Sequence, residues 1–313
     1  MNGSDPAETT APSILISGGT GLVGRRLLAK LSGPVCVLTR QPPLAKPPGQ
    51  PESVRYLTWN AASILPAADL GSIRAAIHLA GDPVAEGRWT PEKKQRIRDS
   101  RVIGTRSLVK SLGQLPTPPE VLISASAVGF YGHRPGETLT ETSAVGSGFL
   151  PEVCAEWEAA AEAATQYGIR VCRIRIGIVL DPNGGALGKM LPIFRWGLGG
   201  PLGLGLQYFP WIHAADLVGL IEHCLANRSV SGPINAVAPT ATTNWQWTRA
   251  LARAVGRPAW IPAPKFGLRL AFGEFGKSLF DNQKVEPRVA LDSGYQFQFP
   301  TVRQALEDLL PNG

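Results

Sequence analysis

An α/β fold built on a doubly wound parallel sheet, with a smaller C-terminal lobe, is predicted by three features of these 313 residues. Strand-like runs alternate with helical patterns, a glycine-rich loop joins the first strand to the first helix, and after Leu180 long glycine-containing loops replace the alternation. Such alternation specifies parallel strands with right-handed crossovers, and it places ligands at the carboxyl ends of the strands.

The first strand, Ile14-Leu15-Ile16-Ser17, runs into Gly18-Gly19-Thr20-Gly21-Leu22-Val23-Gly24 and then a helical pattern over residues 25–31. Gly19, Gly21 and Gly24 satisfy G-x-G-x-x-G, and the pattern stands between a strand and a helix as the motif requires. Glycines permit the tight turn, and the helix N-terminus offers unpaired N–H groups to a diphosphate. The second strand, Val35-Cys36-Val37-Leu38, ends in Thr39-Arg40. NAD-preferring folds place Asp or Glu near this point to accept hydrogen bonds from the ribose 2′-hydroxyl. A guanidinium cannot accept one but pairs bidentately with a 2′-phosphate, so NADP(H) is the expected cofactor.

Further strands are expected at 54–59, 75–80, 121–125, 170–176 and 234–237, with helices at 91–115, 151–167 and 214–226. This is a Rossmann-type arrangement. Residues 1–13 read as a disordered tail, 14–180 as the dinucleotide-binding domain with 206–238 returning to it, and 181–205 plus 239–313 as the substrate lobe and C-terminal module. The stretch 41–53 holds five prolines and reads as an exposed excursion. The glycine-rich stretch 197–205 lacks a preceding strand and reads as a mobile loop over the cleft or as a structural turn.

A composition of 44% hydrophobic and 18% charged residues is globular. The N-terminal segment resembles no targeting peptide, and no apolar run approaches a membrane span. The four cysteines are scattered without C-x-x-C and the four histidines lack ligand spacing, so a reduced, cytoplasmic protein without a metal site is expected. A net charge of +7 raises nucleic acid as a partner, and eight basic residues lie between Arg88 and Lys110. Ile97, Ile103, Leu108 and Leu112 nevertheless give that segment an apolar stripe, and no aromatic interleaving accompanies it, so it reads as an amphipathic helix on the sheet.

Together with the glycine loop, His78-Leu79-Ala80-Gly81, Ser124-Ala125-Ser126 and Tyr131-Gly132 make the chain resemble an extended short-chain dehydrogenase/reductase. More narrowly it resembles the atypical branch known as the epimerase family protein SDR39U1 group. That likeness rests on Ser100-Arg101 with Thr105, Trp157-Glu158, the run from Gly184-Gly185 to Leu191-Pro192, Gly197 to Gly200, and Trp211-Ile212-His213 with Asp216. It continues through Ile261-Pro262, Gln283-Lys284-Val285 and Gly294-Tyr295 to Phe299-Pro300. The resemblance implies NADP(H) held by Gly18 to Gly24, Thr39, Arg40, Leu79 and Ala80, with further contacts from Arg101 and, near the nicotinamide, Val179. Extended relatives often pair as homodimers, which the resemblance carries over as a possibility.

Hydride transfer in that superfamily normally relies on a Tyr-x-x-x-Lys pair, which sets the proton-transfer pKa. Ser126 matches the accompanying serine, but the pair is missing: the expected region begins Gly148-Phe149-Leu150-Pro151, and no tyrosine has Lys four residues later. Tyr131, Glu156, Lys189 and His213 are the alternative proton donors or substrate ligands, with Ser126 and Tyr131 the candidate catalytic residues and Lys189 and His213 the candidate substrate contacts. Three functions follow: an NADP(H)-dependent oxidoreductase or epimerase acting on a small polar carbonyl or sugar-nucleotide-like molecule, a non-catalytic NADPH sensor or scaffold, and, trailing, a nucleic-acid binder.

Overall fold

The computed structural model describes residues 11–43, 53–263 and 273–311, so most of the expected N-terminal tail and of the proline-rich excursion lies outside the described residues. β1 (Ser13–Ser17), α1 (Leu22–Lys30), β2 (Val35–Thr39), β3 (Val54–Thr58), α2 (Ala67–Leu70), β4 (Ile73–His78), α3 (Pro91–Gly113) and β5 (Val121–Ala127) form the first half. There follow β6 (Thr138–Leu139), α4 (Phe149–Glu162), β7 (Arg170–Ile176), β8 (Ile178–Asp181), α5 (Gly185–Arg195), β9 (Trp211–His213), α6 (Ala214–Ala226) and β10 (Gly232–Ala236). The chain closes with α7 (Asn244–Ala254), α8 (Phe275–Ser278), β11 (Lys284–Val285), α9 (Arg288–Asp292) and α10 (Val302–Leu309).

Seven strands make one parallel sheet in the order β10-β7-β5-β4-β1-β2-β3. The order reverses at β1, which pairs with β2 on one side and β4 on the other. A crevice opens outside the carboxyl ends of the strands at that switch point, and the glycine loop lies there. Strands buried on both faces read as continuous apolar runs: Ile14 and Ile16 pack with Leu27, Leu217 and Ile221 on one face, while Leu15, Leu108, Leu112 and Leu122 pack on the other. Full burial of each such side chain stabilises by about 1.5–3 kcal/mol.

α3 begins where expected because Pro91 occupies its first turn and the Thr90 hydroxyl accepts from Lys93 N at 3.2 Å. Its buried stripe is Ile97, Val102, Leu108, Val109 and Leu112, whereas Ile103, expected on that stripe, is 40% exposed. At 3.6 residues per turn, position 103 falls off the face that 97 and 108 share. The expected helix over 151–167 ends at Glu162 and tightens into a 3₁₀ segment, Ala163–Tyr167. The strand expected over 75–80 stops at His78, because Leu79 and Ala80 turn to meet Gly18. The 197–205 stretch is tied down as a structural turn: Ala263 N donates to Pro201 O at 2.8 Å, Leu202 N to Asn244 Oδ1 at 2.7 Å and Trp245 N to Gly205 O at 2.8 Å.

A separate apolar cluster, including Leu187, Leu191, Phe194, Trp211, Trp247, Leu251 and Leu306, joins α5, β9, α7 and α10. Two-stranded parallel pairs link β8 to β9 and β6 to β11. Among the described residues no helix is long and apolar enough to cross a membrane.

His78 is wholly buried at the end of β4, its Nδ1 bonded to Ser17 Oγ and its Nε2 3.0 Å from Thr105 Oγ1. Burial, with the Arg101 charge adding to it, drops its pKa to about 4. The folded protein therefore binds fewer protons than the unfolded chain between pH 6.5 and 4, so stability falls as pH falls through that window. We expect about 2 kcal/mol less stability at pH 5 than at pH 7 from this group. Urea unfolding at both pH values measures it, and a His78→Gln variant that keeps the full pH slope would assign the effect elsewhere.

Candidate cofactor and active site

β1 leads directly into Gly18, whose φ is +74° and where a Cβ would stand 2.8 Å from Ala80 N and from the Leu79 carbonyl carbon. The loop and the Leu79–Ala80 segment thus meet backbone to backbone, an approach only glycine allows. At Gly24 a Cβ would lie 2.3 Å from Gly18 O and 2.6 Å from Gly19 Cα, so α1 starts hard against the loop. Gly21 is the N-cap of α1 and donates to Gly18 O at 3.0 Å. A Cβ on Gly21 would meet only that oxygen, at 3.3 Å. The helix entrance is therefore open, and the first-turn N–H groups of Leu22, Val23 and Gly24 lack intrahelical partners. Thr20 completes the loop, its carbonyl accepting from Arg25 Nη1 at 2.7 Å. This concave, donor-lined turn fits a diphosphate.

Arg40 is exposed at the end of β2 and makes no ion pair among the described residues, and Thr39 beside it is half-buried. Val179 lies in β8, opposite Ile212. The turn after β8 closes over the loop, with Gly184 and Gly185 against the Leu22 side chain. Buried Asp181 fixes that turn by accepting from Arg26 and from Asn183 N. Arg101, which the resemblance implies as a cofactor contact, lies on α3 behind the Leu79–Ala80 segment. Its guanidinium lies under Gly81, donates to Asp82 O at 2.9 Å and Ile97 O at 3.1 Å, and sits 5.1 Å from the Trp157 ring. It braces the segment that carries Leu79 and Ala80.

Ser126 is 3% exposed, and its hydroxyl donates to Glu158 Oε1 at 2.7 Å. Glu158 is held by a two-pronged Arg175 guanidinium, with Nε at 2.8 Å and Nη2 at 2.9 Å. Arg175 Nη1 also reaches the Tyr131 hydroxyl at 2.9 Å, and the guanidinium lies 3.6 Å from the Phe130 ring centre. Tyr131 donates to Asn235 Oδ1 at 2.6 Å and lies 3.0 Å from Thr140 O. Asn235 N in turn donates to Glu141 Oε1 at 3.0 Å. An ionised carboxylate has no hydrogen to give, so the Ser126 hydrogen points at Glu158 and its oxygen presents lone pairs alone. The hydroxyl hydrogen of Ser126, a candidate catalytic residue, is thus taken up by Glu158. Tyr131 is fully buried, and burial pushes its pKa up against the pull of Arg175. It is a strut of this network, and its phenol is not offered to a ligand.

The stretch that begins at Gly148 and Phe149, where the tyrosine–lysine pair was sought in the sequence, is packed with aromatic rings. α4 begins at Phe149, whose ring meets Trp89 edge-on at 5.2 Å, and Trp89 lies 5.4 Å from Phe275. Cys154, one turn on, is buried with its pKa pushed up to about 12 by desolvation and by Glu158, so it is no thiolate nucleophile. Glu156 is paired with Arg98. His213 caps α6, its Nδ1 accepting from Ala215 N at 3.0 Å and its ring stacked 3.9 Å from Phe299. Burial lowers its pKa although Asp308 and Asp216 pull the other way. It serves as a helix cap and is buried. Asp216, in the first turn of α6, accepts from Gln298 N at 2.7 Å and Phe299 N at 3.0 Å. Lys189 alone of these candidates is exposed, on α5, with Nζ 3.3 Å from Ala85 O.

Glu158, Arg175, Asn235 and Glu141 were not legible as site residues. The signal was present in Arg170-Val-Cys-Arg173-Ile-Arg175-Ile, where Arg173 and Arg175 stand two residues apart, on one face of a strand that lies inside the sheet edge. Charges there must be paired, and Glu158 on the covering helix was the partner to seek.

Over residues 14–237 the chain matches a family described as the NAD dependent epimerase/dehydratase family, and over 263–309 a domain of unknown function (DUF1731). It is 37% identical over 318 residues to the epimerase family protein SDR39U1 homolog, chloroplastic, of Arabidopsis thaliana, covering 95% of this chain and 86% of that protein. It is 36% identical over 306 residues to the human epimerase family protein SDR39U1, covering 95% of this chain and 99% of that one. The crystal structure of human SDR39U1 (isoform 2) with NADPH superposes with a TM-score of 0.85 at 35% identity, covering 96% of this chain and 99% of that one.

Proposed function

Since this chain belongs to the NAD dependent epimerase/dehydratase family, we propose that it binds NADP(H) and acts as an oxidoreductase or epimerase-like enzyme on a small polar carbonyl, carbinol or sugar-nucleotide-like substrate. The observation that carries the cofactor choice is Arg40, an exposed cation where NAD-binding folds place a carboxylate. The NADPH that accompanies human SDR39U1 supports the same choice. Bound NADPH would supply a hydride. Loop 18–24 holds the diphosphate, Thr39 and Arg40 hold the 2′-phosphate, and Leu79 and Ala80 floor the path between them. Ser126 accepts a hydrogen bond from a ligand hydroxyl or amide, and Lys189 meets an anionic group of the substrate. Water supplies the proton, because the Tyr131 hydroxyl is buried and the Ser126 hydrogen is committed to Glu158.

Arg40→Glu is expected to weaken NADPH binding about ten- to a hundredfold, as loss of a charge-assisted pair and its replacement by repulsion require, while NADH binding changes little. Calorimetry with both coenzymes reads this out, and equal affinities in variant and native protein would end the NADP(H) assignment. The locked hydroxyls of Ser126 and Tyr131 favour a second reading, a non-catalytic NADPH sensor. Following reduced-nicotinamide absorbance across a panel of carbonyls and nucleotide sugars separates the two: tight NADPH binding without turnover on the whole panel selects the sensor.

A further inference from the structure

α10 belongs to the stretch matched by the domain of unknown function, and it packs beside α7 to border an open hollow of about 460 Å³. Its exposed lining is Gln246, Arg249 and Arg253 from α7, Arg303 and Glu307 from α10, and Pro311. Half-buried Ala250, Ala254 and Leu310 form the floor. The sequence explains the shape: Arg249-Ala250 repeats four residues later as Arg253-Ala254, so one helix edge carries two guanidiniums beside two small side chains that leave depth.

Charge is unbalanced there. No Asp or Glu occurs between Glu222 and Glu274, so α7 has no carboxylate of its own. The one acidic side chain on the rim, Glu307, stands 3.8 Å from Arg303, and both are more than 60% exposed. Such a pair is worth little. Two placements are unfavourable in the protein by itself. Arg249 and Arg253 are like charges at i and i+4. Arg303 is the second residue of α10, at the positive end of a helix whose first turn holds no acid. An anion in the hollow would relieve both, and guanidinium forks match phosphoryl oxygens in pairs.

We propose that the α7–α10 hollow is a second ligand site, separate from the cofactor loop, that binds a phosphorylated molecule: Arg249, Arg253 and Arg303 hold the phosphoryl group, and the Ala250, Ala254 and Leu310 floor takes its non-polar part. The inference does not depend on the reading of the cofactor site. It is tested by titrating inorganic pyrophosphate calorimetrically, at low ionic strength, into protein saturated with NADPH so that the glycine loop is blocked. Saturable heat is expected, weakened about tenfold or more in Arg249→Gln/Arg253→Gln and in Arg303→Gln, and strengthened in Glu307→Gln. NADPH affinity is expected to be unchanged in all three. No heat, or heat that these variants leave untouched, overturns the proposal. Failure of NADPH to bind would count against the cofactor reading alone, since the comparison of variants still isolates the hollow. Flotation with vesicles containing phosphatidate distinguishes the two sources of the group: capture that the same variants abolish assigns a lipid headgroup, and pyrophosphate binding without capture assigns a soluble phosphate.

Discussion

Arg175→Ala is expected to destabilise the protein by about 3–5 kcal/mol, the cost of leaving a buried carboxylate without its partner. Glu158 and Arg175 side chains are each 4% exposed, and Arg175 also steadies the Tyr131 hydroxyl and stacks on Phe130. The variant therefore leaves Glu158 facing only the Ser126 hydroxyl and the more distant Arg173, 4.0 Å away. Denaturant unfolding at pH 7 measures the loss. Replacing both partners by apolar residues, Arg175→Met with Glu158→Leu, is expected to recover much of it, since no charge then remains buried. A loss below about 1 kcal/mol for the single variant would mean that water reaches Glu158 and that the Ser126 hydrogen is free to turn elsewhere.

Gly24→Val is expected to lower NADPH affinity on the order of 100-fold, because moving α1 off the loop misplaces the donors it presents. The branched side chain would begin 2.3 Å from Gly18 O, a backbone atom that cannot swing aside. Overpacking here also costs about 1–3 kcal/mol of stability. Gly21→Ala provides the contrast. Its added carbon meets only Gly18 O, at 3.3 Å against 2.3 Å from Gly24, so the loss of stability should be much smaller while the methyl obstructs the approach of the diphosphate. Calorimetry alongside thermal unfolding separates the outcomes. Native affinity in Gly24→Val would sink the assignment of the diphosphate to this turn.

Much of the fold was legible because its determinants are local. The Ile14–Ser17 run, the glycine loop and the α1 pattern specify one strand–turn–helix unit from adjacent residues, and Thr90-Pro91 announces the start of α3. The candidate site divides along the same line. The donor-lined turn and Arg40 are backbone and strand-end features, and they stand where the pattern puts them. The roles of Ser126 and Tyr131 depend on partners 32 and 104 positions away (Glu158 and Asn235) that no spacing in the sequence reveals. A hydroxyl looks catalytic until the carboxylate that claims its hydrogen is found. The strand β8 went unnoticed for a similar reason: Gly177 interrupts the run, and β8 finds its partner only in β9, beyond α5.

The short β6–β11 pair bears on how the molecule is made. Gln283, beside β11, donates to Gly132 O across 151 residues at 2.8 Å, and Lys284 and Val285 then register with Thr138 and Leu139. The segment following Tyr131 therefore stays unfinished on the ribosome until residues 283–285 have emerged. Contacts of such long sequence separation close late and slowly. A nascent chain halted before residue 283 should hold the early strands in place yet leave the region after β5 open to protease, and the emergence of β11 is what seals it.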